Sequence, residues 1–179
     1  SYISDSAHCR YVSGEIVLDY GGSVHPEIRG AVQVGAGYRF EFRNVKFNKD
    51  TVSGLYMFVG IRNQTEADIG SYQTYSTTGK RWATYDTDYE TTAITEDVTQ
   101  YHDVSIYFKS GTSYKYYLDG TFKVEHTTQT TDTNKVAWLK GDYGTTEAGI
   151  LYCGQVFIRK FVEPEPSHDA WGTEEQQGN

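Results

Sequence analysis

No stretch of this sequence is apolar for long enough to cross a bilayer as a helix, and no apolar run near its start has the make-up of a secretory leader. Basic residues are few and scattered: 16 Lys and Arg stand against 24 Asp and Glu, for a formal net charge of -8. A surface that grips phosphates needs clustered Lys and Arg, so nucleic acid is excluded as a partner. The five histidines never fall in H-x-H or H-x-x-x-H spacing, which removes the usual zinc signatures. There is no Gly-x-Ser-x-Gly elbow for a nucleophile and no strand-Gly-x-Gly-x-x-Gly-helix context for a phosphate. Nothing reads as an amphipathic helix. Methionine is nearly missing as well. The single one is Met57, so the chain is expected to be processed or excised from a longer precursor, and the first alternative places it outside the cell.

What is present is a rhythm of strands. Asp119-Gly120 sits between two runs of Tyr, Phe and Val, and a two-residue turn with positive φ at its centre joins such runs into a hairpin. In the first run Tyr114, Tyr116 and Leu118 alternate with Lys115 and Tyr117; in the second Phe122 and Val124 alternate with Lys123 and Glu125. Period-2 geometry then gives one apolar and one wet face. Further strand-like runs span 15–20, 30–34, 38–47, 54–62, 71–77, 80–85, 91–95, 102–109, 135–139 and 150–162. Phe40, Phe42, Val45 and Phe47 alternate with a slip at Arg43-Asn44 that reads as a bulge. Sixteen tyrosines supply buried area with a polar tip. The expected fold class is all-β, an antiparallel β-sandwich of one domain over 13–162. Residues 1–12 are expected to leave it as a strand-exchange arm. The acidic tail 163–179 offers little to bury besides Ala170 and Trp171, so Trp171 is its expected anchor on the domain or on another copy.

Cys9 lies near the start and Cys153 in the last expected strand. First and last strands are often neighbours in sandwiches, so a Cys9–Cys153 disulfide is expected, with two free buried thiols as the alternative. Asn63-Gln64-Thr65 is a glycosylation sequon on Asn63. Asp86, Asp88 and Glu90 alternate in a turn and offer hard oxygens to calcium, although the EF-hand spacing fails; the plainer alternative is a solvated turn. Trp82, Tyr85 and Tyr89 beside them are a candidate platform for sugar rings, against the alternative that they are core or cross-strand pairs.

His102-x-Val104-x-Ile106, Tyr114-Lys115-Tyr116-Tyr117-Leu118-Asp119-Gly120 and the ending Arg159-Lys160-Phe161-Val162-Glu163-Pro164-Glu165-Pro166 together resemble the concanavalin A-like lectin/glucanase jelly roll, including laminin G-like modules of archaeal and bacterial surface proteins. The resemblance is carried by residues 101–166. It implies a jelly-roll sandwich and two departures from the glucanases. Their E-x-D-x-x-E run, which sets acid and nucleophile on one strand, does not occur in this sequence. The final-strand Asp that helps hold a structural calcium in relatives is replaced by Gly154, which implies that this calcium site is missing. The expected function is therefore a non-enzymatic extracellular structural protein without a cofactor, self-associating into a homo-oligomer or filament through sheet edges and terminal segments. A carbohydrate-binding adhesion module is the alternative and a glycoside hydrolase ranks third.

Overall fold

A computed structural model describes residues 2–4, 6–20, 25–48, 56–63, 69–75, 81–86, 91–110, 113–127, 134–142 and 149–163. The tail from 164 on, with Trp171, lies outside them, as do Asp88, Tyr89 and Glu90.

Fourteen strands form among the described residues: β1 (Tyr2–Ser4), β2 (Cys9–Val12), β3 (Glu15–Tyr20), β4 (Glu27–Arg29), β5 (Tyr38–Phe47), β6 (Tyr56–Arg62), β7 (Ile69–Tyr75), β8 (Arg81–Asp86), β9 (Thr91–Asp97), β10 (His102–Ser110), β11 (Ser113–Leu118), β12 (Thr121–Thr127), β13 (Val136–Asp142) and β14 (Gly149–Lys160). They make two antiparallel sheets. Sheet I has the order β1-β4-β13-β6-β7-β8-β9 and sheet II the order β12-β11-β10-β5-β14-β3-β2. The all-β sandwich expected from the strand rhythm is what forms.

The core between the sheets is built from the alternating residues. Phe40, Phe42, Val45 and Phe47 of β5, Val104, Ile106 and Phe108 of β10, and Tyr114, Tyr116 and Leu118 of β11 meet Met57, Val59 and Ile61 of β6, Tyr72 of β7 and Trp82 of β8. The hairpin turn is as expected: Asp119 and Gly120 have φ of 49° and 75°, the paired left-handed conformation of a primed turn. Asp119 also ties the turn down. Its Oδ1 accepts from the Asp103 N–H at 2.8 Å.

The second hairpin strand departs from simple alternation. Tyr116 pairs with Val124 but Tyr117 pairs with Phe122, so Lys123 is an extra residue and the period breaks there. Val124 packs against the core, while Phe122 turns outward, 51% exposed, with its ring 5.7 Å from Tyr117. The bulge expected at Arg43-Asn44 is also present: His102 pairs with Val45 and Val104 with Phe42, one residue more on β5 than on β10.

Residues 2–4 and 9–12 pair within this chain's own sheets, β1 with β4 and β2 with β3. One expectation is corrected: the Cys9–Cys153 disulfide does not form, and neither cysteine is bridged. The reason is order within sheet II. β3 lies between β2 and β14, with Cys9 opposite Leu18 and Cys153 opposite Ile16. Two strand spacings of about 4.8 Å put the cysteines farther apart than the roughly 7 Å Cα limit of a bridge. Burial pushes the Cys153 thiol up to about 12, which suppresses its thiolate. Thiol titration of unreduced, denatured protein should therefore count two thiols, with Cys153 protected from alkylation in the native state. A count of zero would contradict this arrangement.

Candidate functional site

The face of sheet I turned away from the core carries its own set of polar and aromatic side chains. In β13 Ala137 and Leu139 point into the core, so Trp138 and Lys140 point outward. Strand register places Trp138 beside Arg29 on one side and Gly60 on the other, with Ser71 beyond Gly60. The neighbouring row runs Glu27, Lys140, Phe58 and Gln73.

Glu27 is the hub of this face. Its Oε1 accepts from Arg62 Nη1 at 2.5 Å and from Trp138 Nε1 at 2.8 Å, and Arg29 Nε stands 3.2 Å from the same oxygen. Glu27 is 6% and Arg62 1% exposed, so the charges are removed from water together and each depends on its partner. The Trp138 ring is fixed on several sides. Phe58 stacks on it at 5.3 Å and 23°, and Arg62 Cζ and Lys140 Nζ lie 5.5 and 5.9 Å from it. Burial lowers the Arg62 guanidinium from its ordinary value, with Glu27 acting in the opposite direction. Ser71 is fully buried and its Oγ has no hydrogen-bond partner among the described residues. Gly60 makes room for it: a Cβ there would sit 2.6 Å from Ser71 Cβ and 2.3 Å from the Gly70 carbonyl oxygen.

The residues singled out from the sequence lie elsewhere. Trp82 is fully buried on the opposite side of sheet I, 4.8 Å from the Phe47 ring and edge-on to Tyr72 at 5.9 Å. It is a core residue, and a sugar cannot reach it. Tyr85 lies in β8 and its side chain is outside the described set, as is the whole of Tyr89. Asp86 is fully buried against the other sheet, its Oδ2 3.2 Å from His126 Nδ1; Asp88 and Glu90, expected to join it around a calcium, lie outside the described residues. His126 Nε2 is hydrogen-bonded to Thr84 Oγ1 at 3.0 Å. That is the acid, imidazole and hydroxyl order of a nucleophilic triad, but Thr84 is fully buried, and the three groups tie one sheet to the other. No group of three or more His, Cys, Asp or Glu side chains is placed to hold a metal among the described residues. Asn63 is 3% exposed, which leaves no room for the glycan expected there.

Glu27, Arg62, Ser71, Gln73 and Trp138 were not legible as a set. The available signal was charge next to strand residues: Arg62 follows the apolar run 57–61, and Glu27 stands beside Ile28.

The outward face of sheet II has a different character. Glu41 receives Arg159 Nε at 2.6 Å and Arg43 Nη2 at 2.7 Å, and Arg39 lies over the Tyr117 and Phe161 rings at 4.4 and 5.2 Å. Burial alone would raise the Glu41 carboxyl, yet the hydrogen bonds from Arg159 and Arg43 and the surrounding guanidinium charge hold it below its ordinary 4.5. A carboxyl that titrates lower in the fold than in the unfolded chain contributes stability above the unfolded value. That contribution is lost as pH falls through the lowered one. Urea midpoints should separate wild type from Glu41→Gln at pH 7 and converge as pH drops below 4.5; a separation independent of pH would contradict this.

No protein-family model and no curated protein sequence matches the chain. Solved structures do. An endo-acting O-glycanase of mucin breakdown from human gut microbiota aligns with TM-score 0.74 at 10% identity, over 89% of this chain and 85% of that one. The endo-β-1,3-glucanase of Pyrococcus furiosus aligns with TM-score 0.66 at 17% identity, over 88% and 79%. The Bacillus licheniformis β-glucanase aligns with TM-score 0.61 at 17% identity, over 84% and 81%. This chain has the concanavalin A-like jelly-roll fold. The fold expected from residues 101–166 thus extends over most of the chain. The expected function does not survive: these three structures, which share the jelly roll, are glycan-cleaving enzymes, which overturns the reading as a non-enzymatic filament or surface subunit.

Proposed function

We propose that this chain is a glycoside hydrolase that works outside the cell on glycan lying along the outward face of sheet I. The observation that carries the reading is the sharing of one jelly roll, over most of both chains, with an O-glycanase and two glucanases. The chemistry of the face supports it. Sugars are held by fixed polar groups set among aromatic rings; here Phe58 and Lys140 are half-buried, and the buried Glu27, Arg62, Gln73 and Trp138 fix the face around them.

Hydrolysis of a glycosidic bond uses two carboxyl groups, one protonating the leaving oxygen and one acting as base or nucleophile on the other side of the ring. Glu27 is the described carboxylate on this face. Its Oε1 is taken by the Arg62 and Trp138 donors, so the carboxylate is fixed in orientation and Oε2 is the oxygen available to substrate. Because the sequence has no E-x-D-x-x-E run, the second carboxyl on this reading comes from a different element and not from the same strand.

Incubation with β-1,3-glucan, mixed-linkage β-glucan and mucin O-glycans should generate new reducing ends from at least one of the three. Absence of release from all of them, with folded protein at micromolar concentration, would reject the proposal.

A further inference from the structure

On the opposite side of the molecule, the outward face of sheet II holds an open depression of about 380 Å³ lined by Arg43, Asn44, Asp103, Gln155 and Phe157. It owes its form to the β5 bulge. The extra residue leaves both Arg43 and Asn44 exposed, where an unbroken strand would turn one of two successive side chains into the core. Asn44 takes φ of 53°, a conformation uncommon for residues other than glycine. Asp103 holds the bulge in place: its Oδ1 accepts from the Asn44 N–H at 2.9 Å and its Oδ2 from Arg43 Nη1 at 2.7 Å. Opposite, on β14, a Cβ at Gly154 would lie 3.2 Å from both the Arg43 carbonyl oxygen and Asn44 Cβ, so the strand is slimmest where the bulge needs space. Three residues on, Phe157 is 47% exposed.

We propose that this depression binds a neutral sugar residue of a glycan, at a site separate from the face assigned to hydrolysis. The C–H face of a pyranose packs on the open Phe157 ring, and its hydroxyls meet the carboxylate of Asp103 and the amides of Gln155 and Asn44. Those amides each offer donors and an acceptor, and a carboxylate oxygen accepts more than one hydrogen bond. The Asp103 carboxylate favours a neutral ligand: Arg43 already gives Nη1 to it and Nη2 to Glu41, and a sulfate or phosphate placed there would face Asp103. A pyranose brings both an apolar face and a ring of hydroxyls, which fits one half-open phenyl ring beside three planar polar groups.

The test is electrophoresis of the native protein through gels containing laminarin, neutral mucin O-glycans or chondroitin sulfate, with Phe157→Ala and Gln155→Ala alongside wild type. Wild type should be retarded by a neutral glycan, Phe157→Ala should weaken that retardation at least tenfold, and Gln155→Ala, an exposed polar change, should weaken it severalfold. Release of reducing ends from a short soluble oligosaccharide, read separately, should stay within twofold of wild type in both variants. Loss of retardation with intact hydrolysis supports the second site; retardation without hydrolysis by wild type removes the hydrolase reading and leaves this one standing. Wild type that is retarded by no neutral glycan, or only by chondroitin sulfate, overturns the proposal. So does retardation that both variants retain in full.

Discussion

Replacing Glu27 with alanine should cost the fold about 3–5 kcal/mol, because it leaves a buried guanidinium without its carboxylate. Arg62 is 1% exposed and cannot turn to water for a replacement partner without opening the face. Trp138 loses the acceptor of its Nε1–H in the same change, and Arg29 loses the charge beside it. Urea unfolding followed by far-UV circular dichroism measures the loss. The double variant Glu27→Met with Arg62→Met should be less destabilised than the sum of its parts, since removing both charges removes the desolvation problem along with the attraction. A loss below about 1 kcal/mol in Glu27→Ala would mean that the carboxylate is solvated and the cluster is a surface feature.

Trp82→Ala should be comparably damaging for a different reason. The indole is fully buried between Phe47 and Tyr72, and truncating a core tryptophan costs about 3–5 kcal/mol in lost transfer energy and cavity. The outcome separates two roles that the sequence left open. A core residue gives a lower urea midpoint and, where the variant remains folded, no specific effect on sugar binding. A surface platform gives normal stability and weakened binding.

The sequence was most informative where one period governed. β5 and β11 each turn one alternating set of residues to the core, so Phe40, Phe42, Tyr114 and Tyr116 were legible as core from alternation alone. The Asp119-Gly120 turn was legible because its backbone conformation limits the residues that fit it. Legibility failed at Phe122, where an extra residue in β12 reverses the face and nothing in the local pattern marks it. It failed again at the cysteines, since strand order within a sheet is a property of the whole topology: β3 comes between β2 and β14, and no short-range pattern reports that. The candidate site was the least legible part. Glu27, Arg62, Ser71 and Trp138 come from four strands and are neighbours only through register. The aromatic and acidic cluster at 82–90 was conspicuous because it is local, yet Trp82 and Asp86 both face inward. The absent E-x-D-x-x-E run weighed against an enzyme, but it excludes only the arrangement in which a single strand supplies the carboxyls.

The central claim is that sheet I presents a glycan-cleaving face with Glu27 as one of its carboxyls. Its most direct test is the rate of reducing-end release by wild type and by Glu27→Gln, on whichever of the three glycans wild type cleaves. The assay temperature must be one at which circular dichroism shows both proteins folded. The account predicts measurable release by wild type and a fall of at least about a hundredfold in kcat for the variant, the scale expected when a group that acts on the reacting atoms is removed. Equal rates in the two proteins, or no release by wild type, would contradict it.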